Sequence, residues 1–216
     1  MIAALPPAIV AGELVRLQTR QPVVVLTFDG GGNADAARGA LAVLRREHVP
    51  ATFFLTGDFV RNYPALARAI GRRHPVGNHT VNHVDLRRLS TAAATRQITR
   101  AETIIRRATG RDPRPYFRFP YGARDARTLR IVHRLGYASV RWTVDTWGWM
   151  GRSTQTAPGV VRKVVSHLVP GQIVMMHLGS SRDRSTIDTQ ALPAVIRAVR
   201  ARGYRFVTLA GVRPPR

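Results

Sequence analysis

Short apolar runs alternate with amphipathic stretches along most of the chain. Residues 23–28 form the clearest run, because their Val, Leu and Phe content is typical of a strand buried on both faces. Six further runs predict strands at 51–55, 75–78, 116–118, 137–144, 172–176 and 204–209. Between them, helical spacing of apolar residues predicts helices at about 35–46, from 64 onward, and at about 90–108, 126–135, 160–167 and 190–202.

This alternation predicts an α/β fold. Seven strand–helix repeats favour a parallel sheet or an incomplete barrel. A length of 216 residues fits one domain with a sizeable core. We therefore expect residues 1–22 to form a lead-in segment and residues 23–216 to form the domain.

The chain is strongly basic, with a net charge of +22 from 34 Lys and Arg against 12 Asp and Glu. All of these cations except Lys163 are arginine, and they are spread along the chain. Such a charge predicts attraction to a polyanion such as an anionic cell wall, an acidic glycan or nucleic acid. The favoured alternative is an arginine-rich composition with the charge spread over solvated helix faces. No nucleic-acid-binding motif accompanies it, so we expect no specific nucleic-acid partner.

The sequence contains no cysteine, which excludes disulfides and thiolate metal sites. Its longest apolar stretch, residues 1–12, is too short to span a membrane and lacks the basic start of an export signal. We expect a protein without a membrane span. The expected location is extracellular or at the cell wall, with the export signal absent from these 216 residues.

Polar side chains follow the carboxyl ends of five predicted strands. These residues are Asp29, His79, Arg118, Asp145 and His177. In β/α barrels the loops at that rim converge on one mouth, where active sites are built. The pattern therefore predicts a single site assembled from five elements.

A pair of histidines and a nearby strand-end aspartate suggest a metal site. His79 and His83 are four residues apart, and on one helical turn they would share a face and bind one divalent ion. The alternative is a pair of polar loop residues. Asp29 precedes three glycines and is a candidate metal ligand, general base or turn cap. The glycine run matches no phosphate-binding fingerprint.

Five motifs, in order, resemble those of the polysaccharide deacetylase family (the NodB homology domain, carbohydrate esterase family four). The resemblance extends from about Val23 to Val212. The segments that carry it are Thr27–Gly31, His79–His83, Phe117–Gly122, Asp145–Trp149 and Met175–His177, followed by a similar last strand at Gly203–Leu209.

The resemblance implies a distorted (β/α)7 barrel that removes acetyl groups from N-acetylglucosamine polymers such as peptidoglycan or chitin. It implies a divalent metal ion, with zinc expected and cobalt or a similar ion as the alternative. In that reading His79 and His83 hold the metal. Asp29 is the general base, Arg118 orients it, and His177 is the general acid. The backbone N–H of Tyr121 binds the oxyanion.

We further expect Trp149 and Met175 to wall an apolar pocket for the acetyl methyl group, beside Tyr121. The expected partner is the acetylated polysaccharide, and an anionic cell wall is a second candidate. The oligomeric state is not predicted.

Two positions depart from the family pattern, since Gly30 and Gly148 stand where the family has Asp. The family Asp at the position of Gly30 is a metal ligand, so here Asp29 or water would complete the coordination shell of the metal. Asp35 is a weaker candidate, because it is expected to cap the following helix. The second family Asp tunes the catalytic histidine, a role that Asp145 could take.

These departures keep two alternatives open. One is an O-acetyl esterase acting on a xylan-type polymer. The other is a glycan-binding pseudoenzyme.

Overall fold

The computed structural model describes residues 13–180 and 182–211. Its strands are β1 (Glu13–Leu14), β2 (Val23–Gly30), β3 (Thr52–Leu55), β4 (Val76–Asn78), β5 (Tyr116–Phe117), β6 (Ala138–Val140), β7 (Val144–Asp145), β8 (Gln172–His177) and β9 (Arg205–Val207). Its helices are α1 (Ala37–Arg46), α2 (Gly57–Asn62), α3 (Pro64–Arg73), α4 (Thr91–Thr109), α5 (Ala126–Arg134), α6 (Ala157–Val165) and α7 (Ile187–Arg200). Short 3-10 turns lie at Leu86–Arg88, Pro120–Gly122 and Gly148–Met150.

The described chain divides into two compact units. Unit 1 contains residues 13–15 and 54–141. Its strands run in the order β1, β6, β5, β4, and each neighbouring pair is parallel. Helix α4 packs against α2, α3 and α5. The unit's core is a buried cluster of Leu86, Ala94, Ile98, Phe117, Phe119, Ile131, Val132 and Tyr137.

Unit 2 contains residues 16–53, 142–180 and 182–211. Strand β2 lies between β9 and β8, and β8 also pairs with β7, all in parallel. Every residue of β2 is buried, which agrees with the apolar run at 23–28. Helices α6 and α7 pack together, and α7 also packs on α1. The boundary between the units falls inside β3, between Phe53 and Phe54.

The parallel strands and intervening helices confirm the predicted α/β class, but one predicted strand is wrong. The run 137–144 forms two strands, β6 and β7, which belong to different units. The backbone N–H of Arg141 donates to the Leu14 carbonyl, whereas that of Thr143 donates to the Ile173 carbonyl. The chain thus changes hydrogen-bonding partner within two residues.

The predicted lead-in segment contributes to the sheet. Residues 1–12 lie outside the described part of the chain, but Glu13 and Leu14 form β1 beside β6. The Glu13 carboxylate accepts hydrogen bonds from Arg124 at 2.7 and 2.6 Å and from the Ser139 hydroxyl at 3.1 Å. Among the described helices, none combines the length and apolarity needed to cross a bilayer.

Candidate active site

In unit 1, the loop after β4 is built around a buried amide. The Asn78 side chain donates from Nδ2 to the Ile98 carbonyl at 2.9 Å and to the Tyr137 hydroxyl at 3.1 Å. Its Oδ1 accepts the Thr80 backbone N–H at 3.0 Å. Thr80 has φ +68°, a left-handed conformation that costs energy for a β-branched residue. Asn78 therefore helps to hold the loop in an unfavourable conformation.

This loop brings His79 and His83 together. Their ring centroids are 4.8 Å apart, with the rings edge to face. The expected helical turn is wrong: residues 79–83 are non-helical, and Thr80 and His83 both have positive φ. The two rings are nevertheless close, as the spacing predicted, because a left-handed turn also closes within four residues. Strained non-glycine residues of this kind cluster at functional sites.

The buried His79 ring is oriented by a backbone carbonyl. Its Nδ1 lies 2.8 Å from the Arg118 carbonyl oxygen, which requires a proton on Nδ1 and therefore a lone pair on Nε2. Histidine ligands in metal sites are commonly fixed in this way by a second acceptor. The donor chemistry of His79 and His83 therefore fits zinc or a similar ion.

A third protein ligand is not apparent. Among residues 13–180 and 182–211, no three His, Cys, Asp or Glu side chains form a group arranged to hold a metal ion. The set of His79, His83 and Asp29 thus stays a prediction. Asp35 does not cap α1: its carboxylate pairs with Arg184 at 2.8 Å, and the helix N-cap is Ala36, with no side-chain hydrogen bond.

Arg118 is fully buried in unit 1. Its guanidinium lies 4.0 Å from the Phe54 ring centroid and donates to the carbonyls of Val140 at 3.3 Å and Arg141 at 3.1 Å. Because a planar guanidinium fixed on three sides cannot rotate, its direction is set by β6 and β3.

Tyr121 lies on the loop after β5 with φ +59°. The residue is 73% exposed, and its ring centroid is 4.6 Å from that of His83. The positive φ reorients the adjoining peptide groups relative to a continuing strand. The backbone role predicted for Tyr121 in oxyanion binding stays a prediction.

In unit 2, Asp29 and His177 lie at the carboxyl ends of two adjacent strands. They are partners in the parallel register of β2 and β8, and the Leu178 N–H donates to the Asp29 carbonyl at 3.0 Å. Asp29 is nearly buried, and the His177 side chain is 19% exposed. Strand pairing therefore brings the predicted base and the predicted acid together.

The two predicted pocket residues of unit 2 flank His177. Met175 precedes it by two residues on β8, so both side chains project from the same face of the strand. The Trp149 ring centroid lies 6.3 Å from that of His177. The structure thus places Trp149, Met175 and His177 in one neighbourhood.

Asp145 ends β7, and its Oδ1 accepts the Trp147 N–H at 2.9 Å. Burial raises the pKa of the Asp145 carboxyl, although the bond from Trp147 opposes this. Trp147 itself has φ +61° and is 45% exposed, and the Lys163 ammonium lies 3.3 Å from its ring centroid. Trp147 was not among the residues predicted from the sequence.

Sequence reasoning also missed Asp188, in the first turn of α7. Its side chain is 2% exposed, and its Oδ2 accepts the His177 backbone N–H at 2.8 Å. Burial alone would lower the pKa of His177, but the carboxylates of Asp188, Asp29 and Asp145 outweigh it, and the net pKa is raised. The sequence signal was an acidic residue inside an apolar helical stretch, which the predicted helix at 190–202 excluded.

The chain is similar to known proteins over most of its length. A polysaccharide deacetylase family model matches residues 16–140. A chitooligosaccharide deacetylase of Bradyrhizobium sp. is 36% identical over 196 residues, which cover 85% of this chain and 87% of the relative.

Two solved structures have the same fold. A peptidoglycan N-acetylglucosamine deacetylase, 27% identical, aligns with a TM-score of 0.85 over 95% of both chains. A CE4-family pseudoenzyme of Bacillus anthracis, 26% identical, aligns with a TM-score of 0.83 over 95% of this chain and 68% of its own. These matches confirm the predicted fold type and enzyme class, a hydrolase with a distorted (β/α)7 barrel. The chain belongs to the polysaccharide deacetylase family.

Proposed function

We propose that this protein hydrolyses the N-acetyl groups of N-acetylglucosamine units in a polysaccharide of the peptidoglycan or chitin type. The observation that carries the proposal is the register pairing of Asp29 with His177 at the ends of β2 and β8. Amide hydrolysis needs a group that takes a proton from water and a group that returns a proton to the amine. A carboxylate and an imidazole on adjacent strands supply both.

The proposed reaction uses this pair in sequence. Asp29 accepts a proton from the attacking water, and the water oxygen adds to the acetyl carbonyl carbon. The carbon–nitrogen bond then breaks as His177 gives its proton to the departing amine, which would otherwise be too basic to leave. Acetate and a glucosamine unit are the products.

The other roles follow from the family motifs. Arg118 is assigned to orienting the base, which suits its fixed guanidinium. The Tyr121 N–H is assigned to the oxyanion, and a good donor there contributes about 3–4 kcal/mol. Trp149 and Met175 are assigned to the acetyl methyl, next to His177.

His79 and His83 are the residues that would hold a divalent metal ion, with zinc proposed and cobalt as the alternative. A divalent ion supplies Lewis acidity toward the acetyl carbonyl and the attacking water. The chain's own contribution is the fixed orientation of His79 by the Arg118 carbonyl.

The relatives support a polysaccharide substrate, since one acts on chitooligosaccharide and one structural neighbour on peptidoglycan N-acetylglucosamine, by their names. We also propose that the protein works outside the cell or at the cell wall. Its net charge of +22 would concentrate it on an anionic polymer.

The pseudoenzyme alternative has one specific observation in its favour. Gly30 removes a family metal ligand, and one neighbour of the same fold is a pseudoenzyme. The deacetylase proposal is favoured because the proposed base and acid are both present and are register partners on adjacent strands, with the Asp29 carboxylate buried.

Acetate release from N-acetylglucosamine oligomers and from peptidoglycan tests the proposal. Purified protein is assayed in EDTA and after addition of zinc or cobalt. We expect release that EDTA abolishes and metal restores, and a loss of about 10²–10⁴-fold in His177→Ala. The matched control is His167→Ala, because His167 is an exposed histidine of the same unit.

A folded protein that binds oligosaccharide but releases no acetate with any metal would establish the pseudoenzyme instead. Release from acetylated xylan alone would establish the O-acetyl esterase.

A further inference from the structure

We infer that Asp188 is the positioning residue for His177, and that its carboxylate replaces, from helix α7, the family carboxylate that is missing at Gly148. The inference rests on the proposed function, because it concerns the general acid of that reaction. It follows from the space around position 148 and from the contacts of Asp188.

The Asp188 carboxylate occupies the volume into which a side chain at position 148 would project. A Cβ built on Gly148 would lie 2.3 Å from Asp188 Cγ, 2.3 Å from Oδ1 and 2.5 Å from Oδ2. Contacts that short do not occur between non-bonded atoms, so any larger residue at 148 would displace Asp188. The observed position of the Asp188 carboxylate therefore requires glycine at 148.

The Asp188 carboxylate lies close to both the backbone and the ring of His177. Its Oδ2 accepts the His177 backbone N–H at 2.8 Å and lies 3.8 Å from the ring Nδ1. The second distance is too long for a direct hydrogen bond but short for a charge pair. Apo forms of enzymes often show such catalytic contacts lengthened, and they tighten when substrate binds.

Each residue of this pair also has a buried side-chain atom without a hydrogen bond. Within the described residues, His177 Nδ1 and Asp188 Oδ1 are both buried without a hydrogen-bond partner. A buried carboxylate is costly unless it is paired, and the N-terminal turn of α7 offsets only part of that cost. The imidazole is the cationic partner that gives a carboxylate at this position a function.

The consequence is a fixed orientation for the acid. A carboxylate at Nδ1 keeps a proton there and leaves Nε2 as the atom that donates to the amine.

A swap of the carboxylate tests the inference. Asp188→Asn keeps an oxygen acceptor for the His177 N–H but removes the charge. The double variant Asp188→Gly with Gly148→Asp moves the carboxylate to the family position. The matched control is Asp183→Asn, because Asp183 accepts backbone N–H groups in the same unit without contacting His177.

We expect Asp188→Asn to lower kcat for acetate release by about 10²-fold, with KM unchanged. The double variant should recover at least tenfold of that loss, and Asp183→Asn should stay within twofold of the wild type. Hydrolysis of 4-nitrophenyl acetate should change less than threefold in every variant, because its leaving group needs no proton.

Equal losses on the amide and on 4-nitrophenyl acetate would assign Asp188 a structural role and overturn the inference. So would Asp188→Asn with kcat within twofold of the wild type. Thermal unfolding of each variant identifies any that fail to fold.

Nitrogen NMR of the His177 ring gives a second readout that does not depend on turnover. The Nδ1 resonance should shift in Asp188→Asn and not in Asp183→Asn. If the wild-type protein releases no acetate, the proposed function fails, whereas the inference is then decided by this resonance. An Nδ1 resonance that is unchanged in Asp188→Asn overturns it.

Discussion

Replacing Asn78 with alanine tests how the loop with His79 and His83 is held. Asn78 is fully buried and makes three hydrogen bonds, to the Ile98 carbonyl, the Tyr137 hydroxyl and the Thr80 N–H. Alanine fits the space but makes none of them. The variant should be less stable, and its loop should lose its left-handed turn.

The magnitude follows from what each partner retains. The Tyr137 hydroxyl keeps its bond to Glu102 Oε2 at 3.2 Å, and the Ile98 carbonyl lies within helix α4, so each lost bond there costs about 1 kcal/mol. The Thr80 N–H is left buried without its acceptor, which costs about 1–3 kcal/mol. The sum is a loss of about 3–5 kcal/mol, which lowers Tm by roughly 6–20 °C in a chain of this length.

Urea unfolding measures the stability, and Co²⁺ absorption titration measures the metal affinity of the same samples. The matched control is Asn62→Ala, because Asn62 is exposed at the end of α2 and should change the free energy of unfolding by less than about 0.5 kcal/mol. A loss in Asn78→Ala no larger than in the control would refute the reasoning on buried hydrogen bonds. A large loss with unchanged Co²⁺ affinity would refute the link to the loop.

Three further predictions concern other parts of the molecule. Gly77→Ala places a Cβ 2.6 Å from the Phe54 ring, so we expect about 1–3 kcal/mol of destabilisation by urea unfolding, against almost none for Gly32→Ala, where nothing lies within 4 Å. Burial, helped by a neighbouring arginine, lowers the pKa of His74 from 6.5 to about 4. As the pH falls from 6.5 toward 4, the unfolded chain binds a proton at His74 that the folded chain excludes, so the free energy of unfolding decreases over that range. In His74→Leu, the free energy of unfolding measured by urea should differ less between pH 7.5 and pH 5 than in the wild type. Trp147→Ala should raise KM for N-acetylglucosamine oligomers severalfold at constant kcat, because the residue is about half exposed and an aromatic side chain can pack against a sugar; an unchanged KM would exclude it from substrate binding.

The parts of the fold that sequence patterning predicted are those with strong local signals. The apolar run of β2 and the serine-led helix α4, whose cap Ser90 accepts the Ala93 N–H, lie close to their predicted positions. The separation of β6 from β7 was missed because Arg141, Trp142 and Thr143 include no turn-forming residue. That break is defined by hydrogen bonds to Leu14 and Ile173, which are distant in sequence.

The sequence predicted those parts of the candidate site that a short motif specifies, such as the proximity of the His79 and His83 imidazoles. It was not predictable where function depends on shape. Asp188 lies 40 positions beyond Gly148 in the sequence, and only the close approach of its carboxylate to that glycine relates the two. The spacing of the two histidines also could not distinguish a helical turn from the left-handed turn at Thr80, because either backbone conformation brings the two imidazoles close together.

Strand β1 has a practical consequence for cutting this domain out of its chain. A fragment beginning at the predicted boundary, residue 23, would lack the Glu13 carboxylate and leave the Arg124 guanidinium without that partner. It would also strip the neighbour from one side of β6, and a bare strand edge is a template for intermolecular pairing. Fragments expressed for crystallisation or enzyme engineering should therefore begin before Glu13, since shorter ones are expected to aggregate even with every motif residue present.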